Sequence, residues 1–82
     1  MRLVLVEWDD SVALGETWVD NEVIRGLDVC HCVSIGVEMQ GDLDKVVLCQ
    51  SVGTGKNNGN NLIAIPRGCI KRMRDLKIER VL

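Results

Sequence analysis

Phenylalanine and tyrosine are missing from this 82-residue chain, whose only aromatic residues are Trp8 and Trp18. Any core must therefore be built from Val, Leu and Ile around two indoles. There is one proline, Pro66, and one histidine, His31. With a single histidine, no Ser-His-Asp or Cys-His arrangement is legible, so the sequence argues against an enzyme. Long apolar runs are lacking too. The opening "MRLVLVEWDD" stops being apolar at Glu7, too short for a signal-peptide core and far too short to cross a bilayer. With no secretory signal in view, the four cysteines are expected to be free thiols in a reducing, cytoplasmic setting, with Met1 as the natural start. No membrane partner and no cofactor are expected.

A chain of this length makes one domain, expected to span residues 1–82, and buries only about 60–65% of the surface its unfolded form exposes. So thin a core points to association of copies, and a homo-oligomer is the expected state. The net charge of −2 hides an asymmetry: residues 1–66 carry four Lys or Arg against ten Asp or Glu, whereas residues 67–82 carry six against two. The chain is acidic with a basic tail.

Val and Leu crowd residues 2–8, "RLVLVEW", and Leu3, Leu5 and Glu7 alternate with Val4, Val6 and Trp8, which predicts a strand. "DDSVALGE" breaks it. Asp20 to Arg25 has the makings of one helical turn, with Asp20 as cap and Gly26 as terminator. "VCHCVSIGVEMQ" and "KVVLCQSV", joined by "GDLD", predict a hairpin. A turn centred on Asp42 and Leu43 makes facing residue numbers add to 85. Val33, Ile35, Val37 and Met39 then share the core face with Val46 and Leu48, while Cys30, Cys32, Ser34 and Gly36 share the small-residue face with Cys49 and Ser51. A slip of one residue would exchange the faces and bury Glu38. "GTGKNNGNN" reads as a mobile loop, "LIAIP" as a short strand stopped by Pro66, and residues 69–76 as a final strand in preference to a helix.

The sequence "CHC" invites a metal site. Zinc ligands are usually spaced C-x₂₋₄-C, however, and in a strand His31 points away from Cys30 and Cys32. Cys49 lies roughly 13 Å from Cys32 in the expected register. Small half-buried thiols are the better reading, and no metal is expected. "GTGK" lacks the opening glycine and the hydroxyl of a phosphate loop, with Gln50 and Asn57 at those positions. The basic tail, including Arg67, Lys71, Arg72 and Arg74, suits an anion or RNA, although it lacks interleaved aromatics for stacking.

Strand, insert, long strand, turn, strand, loop, short strand, "IP" break and final strand resembles a five-stranded small barrel. In Src-homology-3-like barrels the fourth and fifth strands are split by a tight helical turn after a proline, and "AIPRGCI" resembles that feature. "IPRGCI" is also similar to the second motif of the Sm-like proteins, at Ile65, Arg67, Gly68 and Ile70, whereas their first motif and their N-terminal helix are absent. The fold class implied is all-β, a five-stranded SH3-like or Sm-like barrel with a short helical turn before the last strand. "VEWDDS", "CxCVSIG" and "IPRGCIKRMRDL" together resemble small proteins of bacteriophages and prophages, a likeness spanning about the whole chain. The likeness implies no known activity; that phages carry small oligomeric proteins which bind nucleotides, RNA or host proteins to defeat defence systems is a background expectation.

The expected function is a non-enzymatic oligomeric binding module, assembled through the small-residue face of Cys30, Cys32, Ser34, Gly36, Cys49 and Ser51. One alternative is an Sm-like RNA or oligonucleotide binder working through Arg67, Lys71, Arg72 and Arg74. Another is a sponge for a small anionic nucleotide held by Trp18, Lys56 and Arg67.

Overall fold

Val4, Val6 and Trp8 alternate with Leu3, Leu5 and Glu7, and this period-two pattern produces the first strand of an all-β fold. The computed structural model describes residues 2–53, 55 and 58–77. In chain order it contains β1 (Arg2–Asp10), α1 (Asn21–Gly26), β2 (Cys30–Gly41), β3 (Lys45–Gly53), β4 (Asn58–Pro66), a 3-10 turn (Arg67–Cys69) and β5 (Ile70–Asp75). The strands form one antiparallel sheet in the order β4-β3-β2-β1-β5. β4 and β5 are its two edges and do not pair with each other, so the sheet is open at that seam.

Val4 and Val6 from β1, Val46 and Leu48 from β3, and Ile65 from β4 make one buried cluster, flanked by Trp8, Ile70 and Met73. In a flat sheet β1 and β4 would stand roughly 14 Å apart, three strand spacings. Their share in one buried cluster, and the approach of the 3-10 turn after β4 to β1, show that the sheet curls about its inner face. Gly36 makes the curl possible at the centre of β2: a Cβ there would meet the Cys49 carbonyl oxygen at 3.0 Å and the Leu48 Cβ at 3.1 Å. Each buried aliphatic side chain contributes about 1.5–3 kcal/mol through removal from water.

The hairpin register differs from the expected one by a single step. Val37 faces Cys49 and Glu38 faces Leu48, so facing numbers add to 86. The cause is the turn. Asp42 Oδ1 accepts from the backbone N–H groups of Asp44 and Lys45 at 2.8 and 2.9 Å, and the Asp42 N–H donates to the Lys45 carbonyl at 3.1 Å. This Asx-type turn is longer than a two-residue turn, and an irregularity between Glu38 and Gly41 completes the shift. Val33 and Ile35, expected in the core, are 63% and 61% exposed, and Ser34 and Gly36 face inward. Glu38 does turn to the inner side, with a side chain 16% exposed, and Arg2 meets it at the rim at 2.6 Å while also reaching Asp75 at 2.6 Å. Asp75 is the main reason that the Arg2 guanidinium is held above its usual pKa.

Other elements follow expectation more closely. α1 begins after Asp20, although the Asp20 side chain makes no capping bond. Pro66 ends β4, and β5 is a strand. Part of the segment read as a mobile loop is paired: β3 runs to Gly53 and β4 starts at Asn58, with Gly53 facing Asn58, Val52 facing Gly59 and Ser51 facing Asn60. Thr54, Lys56 and Asn57 lie outside the described residues. Among the described residues, no helix is long and apolar enough to cross a membrane.

Candidate functional site

Alternation along β1 sends Glu7 and Asp9 to the face opposite Val6 and Trp8, and the register sets Val33 against Glu7 and His31 against Asp9. On the other side of β1, Arg72 faces Glu7 and then Ile70 faces Trp8, which leaves Lys71 as an extra, unpaired residue. Such a bulge re-aims its side chain. Lys71 Nζ reaches Asp9 Oδ2 at 3.3 Å, and Arg72 Nε reaches Glu7 Oε2 at 3.3 Å. These groups, with Trp8, His31, Cys32 and Val33, line a cavity of about 280 Å³ at the end of the sheet.

His31 Nδ1 and Asp9 Oδ1 are 2.6 Å apart, and His31 Nε2 stands 3.8 Å from Asp28 Oδ2. The hydrogen bond with His31, followed by Lys71, holds the Asp9 carboxyl below its ordinary pKa, against an opposing effect of desolvation. A carboxylate-bound imidazole orients its ring but needs a nucleophile or substrate proton at the second nitrogen for acid–base chemistry. Here that nitrogen is closest to a second carboxylate. The arrangement is an ionic cluster in which the carboxylates of Glu7, Asp9 and Asp28 meet Lys71, Arg72 and the His31 imidazole.

Cys30 and Cys32 lie on the face opposite His31, as alternation requires, and their Sγ atoms are 3.7 Å apart. Desolvation first, and the neighbouring Cys30 second, push the Cys32 thiol upward in pKa. All four cysteines are free, and no cluster of three or more metal-ligating side chains occurs among the described residues.

The residues expected to form an assembly face are divided between two sides. Cys32, Ser34 and Gly36 pair with Trp8, Val6 and Val4 on the concave side; the Trp8 indole donates to Ser34 Oγ at 2.9 Å, and Gly36 is buried. Cys49, paired with Val37, belongs to the opposite side and is 1% exposed, while Ser51 is exposed near the end of β3. The outer face instead gathers Leu3, Leu5, Val33, Ile35, Val37, Val47, Leu62 and Ala64. The sequence hides this surface because Val33 and Ile35 look like core residues.

The expected ligand-binding residues are likewise dispersed. Arg67 clamps the β2–β3 turn, its guanidinium donating to the Asp42 carbonyl and its backbone N–H to the Asp44 carbonyl at 2.9 Å. Lys71 and Arg72 line the cavity but face carboxylates, and Arg74 stands opposite Leu5 on the outer face. Trp18 is 100% exposed and touches none of them; Lys56 lies outside the described residues. In the sequence Glu7 reads as a strand residue, Asp9 as part of the break that follows and His31 as a residue turned away from the two thiols, since the β1–β2 register that unites them is not written in either strand alone.

Between β1 and β2 the chain leaves the sheet altogether. Residues 11–29 form an arm, containing α1, in which every residue is exposed, including Val12, Leu14, Trp18, Val19, Val23, Ile24, Leu27 and Val29. Comparison with protein-family models, curated proteins and solved structures returned no match.

Proposed function

We propose that this chain is a non-enzymatic binding module that works as a homo-oligomer. The observation that carries the reading is uncovered area. The chain exposes 6915 Å², about 2,000 Å² more than the roughly 4,900 Å² of a compact monomer of its 9.1 kDa mass. Its radius of gyration, 16.8 Å, likewise exceeds the roughly 12 Å of a compact chain of this length. Large apolar side chains stand exposed in the arm, among them Leu14, Trp18 and Ile24, and on the outer face, among them Val33, Ile35 and Leu62. Contiguous patches of this kind mark interaction surfaces.

The 3-10 turn directly after Pro66, between β4 and β5, supports the SH3-like or Sm-like reading, with barrel closure requiring the β4 and β5 edges to approach. RNA binding is less well supported, because Lys71, Arg72 and Arg67 are engaged by Asp9, Glu7 and the turn, and a phosphate would have to displace those partners. The resemblance to small phage proteins adds host proteins in the cytoplasm as the class of further partner. Sedimentation velocity at micromolar concentration tests the reading. A mass of two chains or more is expected, and a stable monomer overturns it.

A further inference from the structure

We infer that a second copy of this chain covers the outer sheet face, each copy laying its arm across the other and seating Trp18 in the groove between Met39, Val47 and Leu62. The inference rests on the self-association proposed above and names its surface. Three observations lead to it. A standard interface buries about 800 Å² per partner, so the roughly 2,000 Å² of excess surface is more than enough for a stable dimer. Among the described residues Trp18 is the most exposed large apolar side chain, and the groove is a hollow of about 420 Å³ in which Met39, Val47 and Leu62, the last 60% exposed, give an apolar wall beside Gln40, Asn58 and Gly59. Tryptophan in an apolar pocket is the commonest kind of interface anchor, and methionine adapts its shape to such a guest. Charge agrees: residues 11–29 carry four carboxylates against one arginine, and Arg74, opposite Leu5, places a cation on the outer face.

Reach favours exchange between copies over folding back. The arm is rooted where Asp10 pairs with Cys30, and Met39 lies nine residues further along β2, about 30 Å of strand. The eight residues from Asp10 to Trp18 span at most about 28 Å. Within one chain the arm would run at full stretch with no slack. Between two chains, reciprocal insertion imposes no such demand and closes with twofold symmetry, because each copy offers both an arm and a groove.

Complementation tests this arrangement. Trp18→Ala removes the anchor and Leu62→Asp spoils the groove; both side chains are solvent-exposed, and circular dichroism of each variant, with Leu62→Asn as a second groove variant, checks folding. Each variant alone loses both contacts of its dimer, so its dissociation constant should rise about 1,000-fold, taking about 30-fold per contact. An equimolar mixture restores one intact contact, and heterodimers should appear by native mass spectrometry with affinity about 30-fold below the parent. Variants that dimerise like the parent overturn the inference and leave self-association standing. Impaired variants that fail to complement also overturn it. A monomeric parent overturns both readings.

Discussion

The sheet and the arm obey opposite rules. In the sheet, Val4, Val6, Val46 and Ile65 are fully buried, and the ladders pair the backbone along five strands. In the arm, residues 11–29 expose every side chain, and α1 is a six-residue helix with no buried member. A helix that short is not stable in water by itself, so its order depends on what it packs against. The comparison teaches that folding free energy resides in the curled inner face, while the arm adds exposed surface and no buried side chain.

The comparison breaks most readily at the core. Leu48→Ala, 2% exposed in the parent, should cost about 2–5 kcal/mol in urea unfolding, a large part of the stability of so small a domain. Gly36→Val should cost about 1–3 kcal/mol, since its Cβ would press on the Cys49 carbonyl and Leu48 at the centre of β2. Replacing Trp8 by Phe keeps an aromatic body and removes the bond to Ser34, and a loss of about 1 kcal/mol is expected in the same assay.

A smaller effect belongs to Asp42, whose carboxyl is lowered to about 2 by Lys45 first and then by the Asp44 and Lys45 backbone N–H groups. Because the folded pKa is below the unfolded one, this contribution is present above pH ~4 and is lost as pH falls toward 2. Asp42→Asn should flatten the acid limb of the stability profile over that window. The arm should show the least. Trp18→Ala should change the unfolding free energy of the monomer, measured in urea at high dilution, by less than about 0.5 kcal/mol. A large loss at high dilution would place the arm in the fold and erase the distinction.

Much of the architecture was legible. Alternation marked β1, turn residues marked the β2–β3 hairpin, Pro66 marked the end of β4, and a strand was preferred over a helix for the tail. Register was not, because it depends on the Asp42 side chain lengthening a turn that the backbone pattern alone makes tighter. From that single step came the misplacement of Val33 and Ile35, and with it the exchange of the inner and outer faces. The ionic cluster escaped notice for a related reason. Lys71 meets Asp9 through a bulge, a feature without a residue signature in "IKRM".

The root of the arm carries a consequence for tolerance to change. Asp10 and Cys30 are cross-strand partners, and Asp9 and His31 beside them are joined by a hydrogen bond, so the two ends of the excursion are already stitched together by the ladder. Loop closure entropy grows only slowly with length, about 0.6 kcal/mol per doubling. Residues can therefore be gained or lost between Ser11 and Val29 with little thermodynamic penalty to the scaffold. Such a protein is free to retailor its reach by insertion and deletion while the strands beneath stay unchanged.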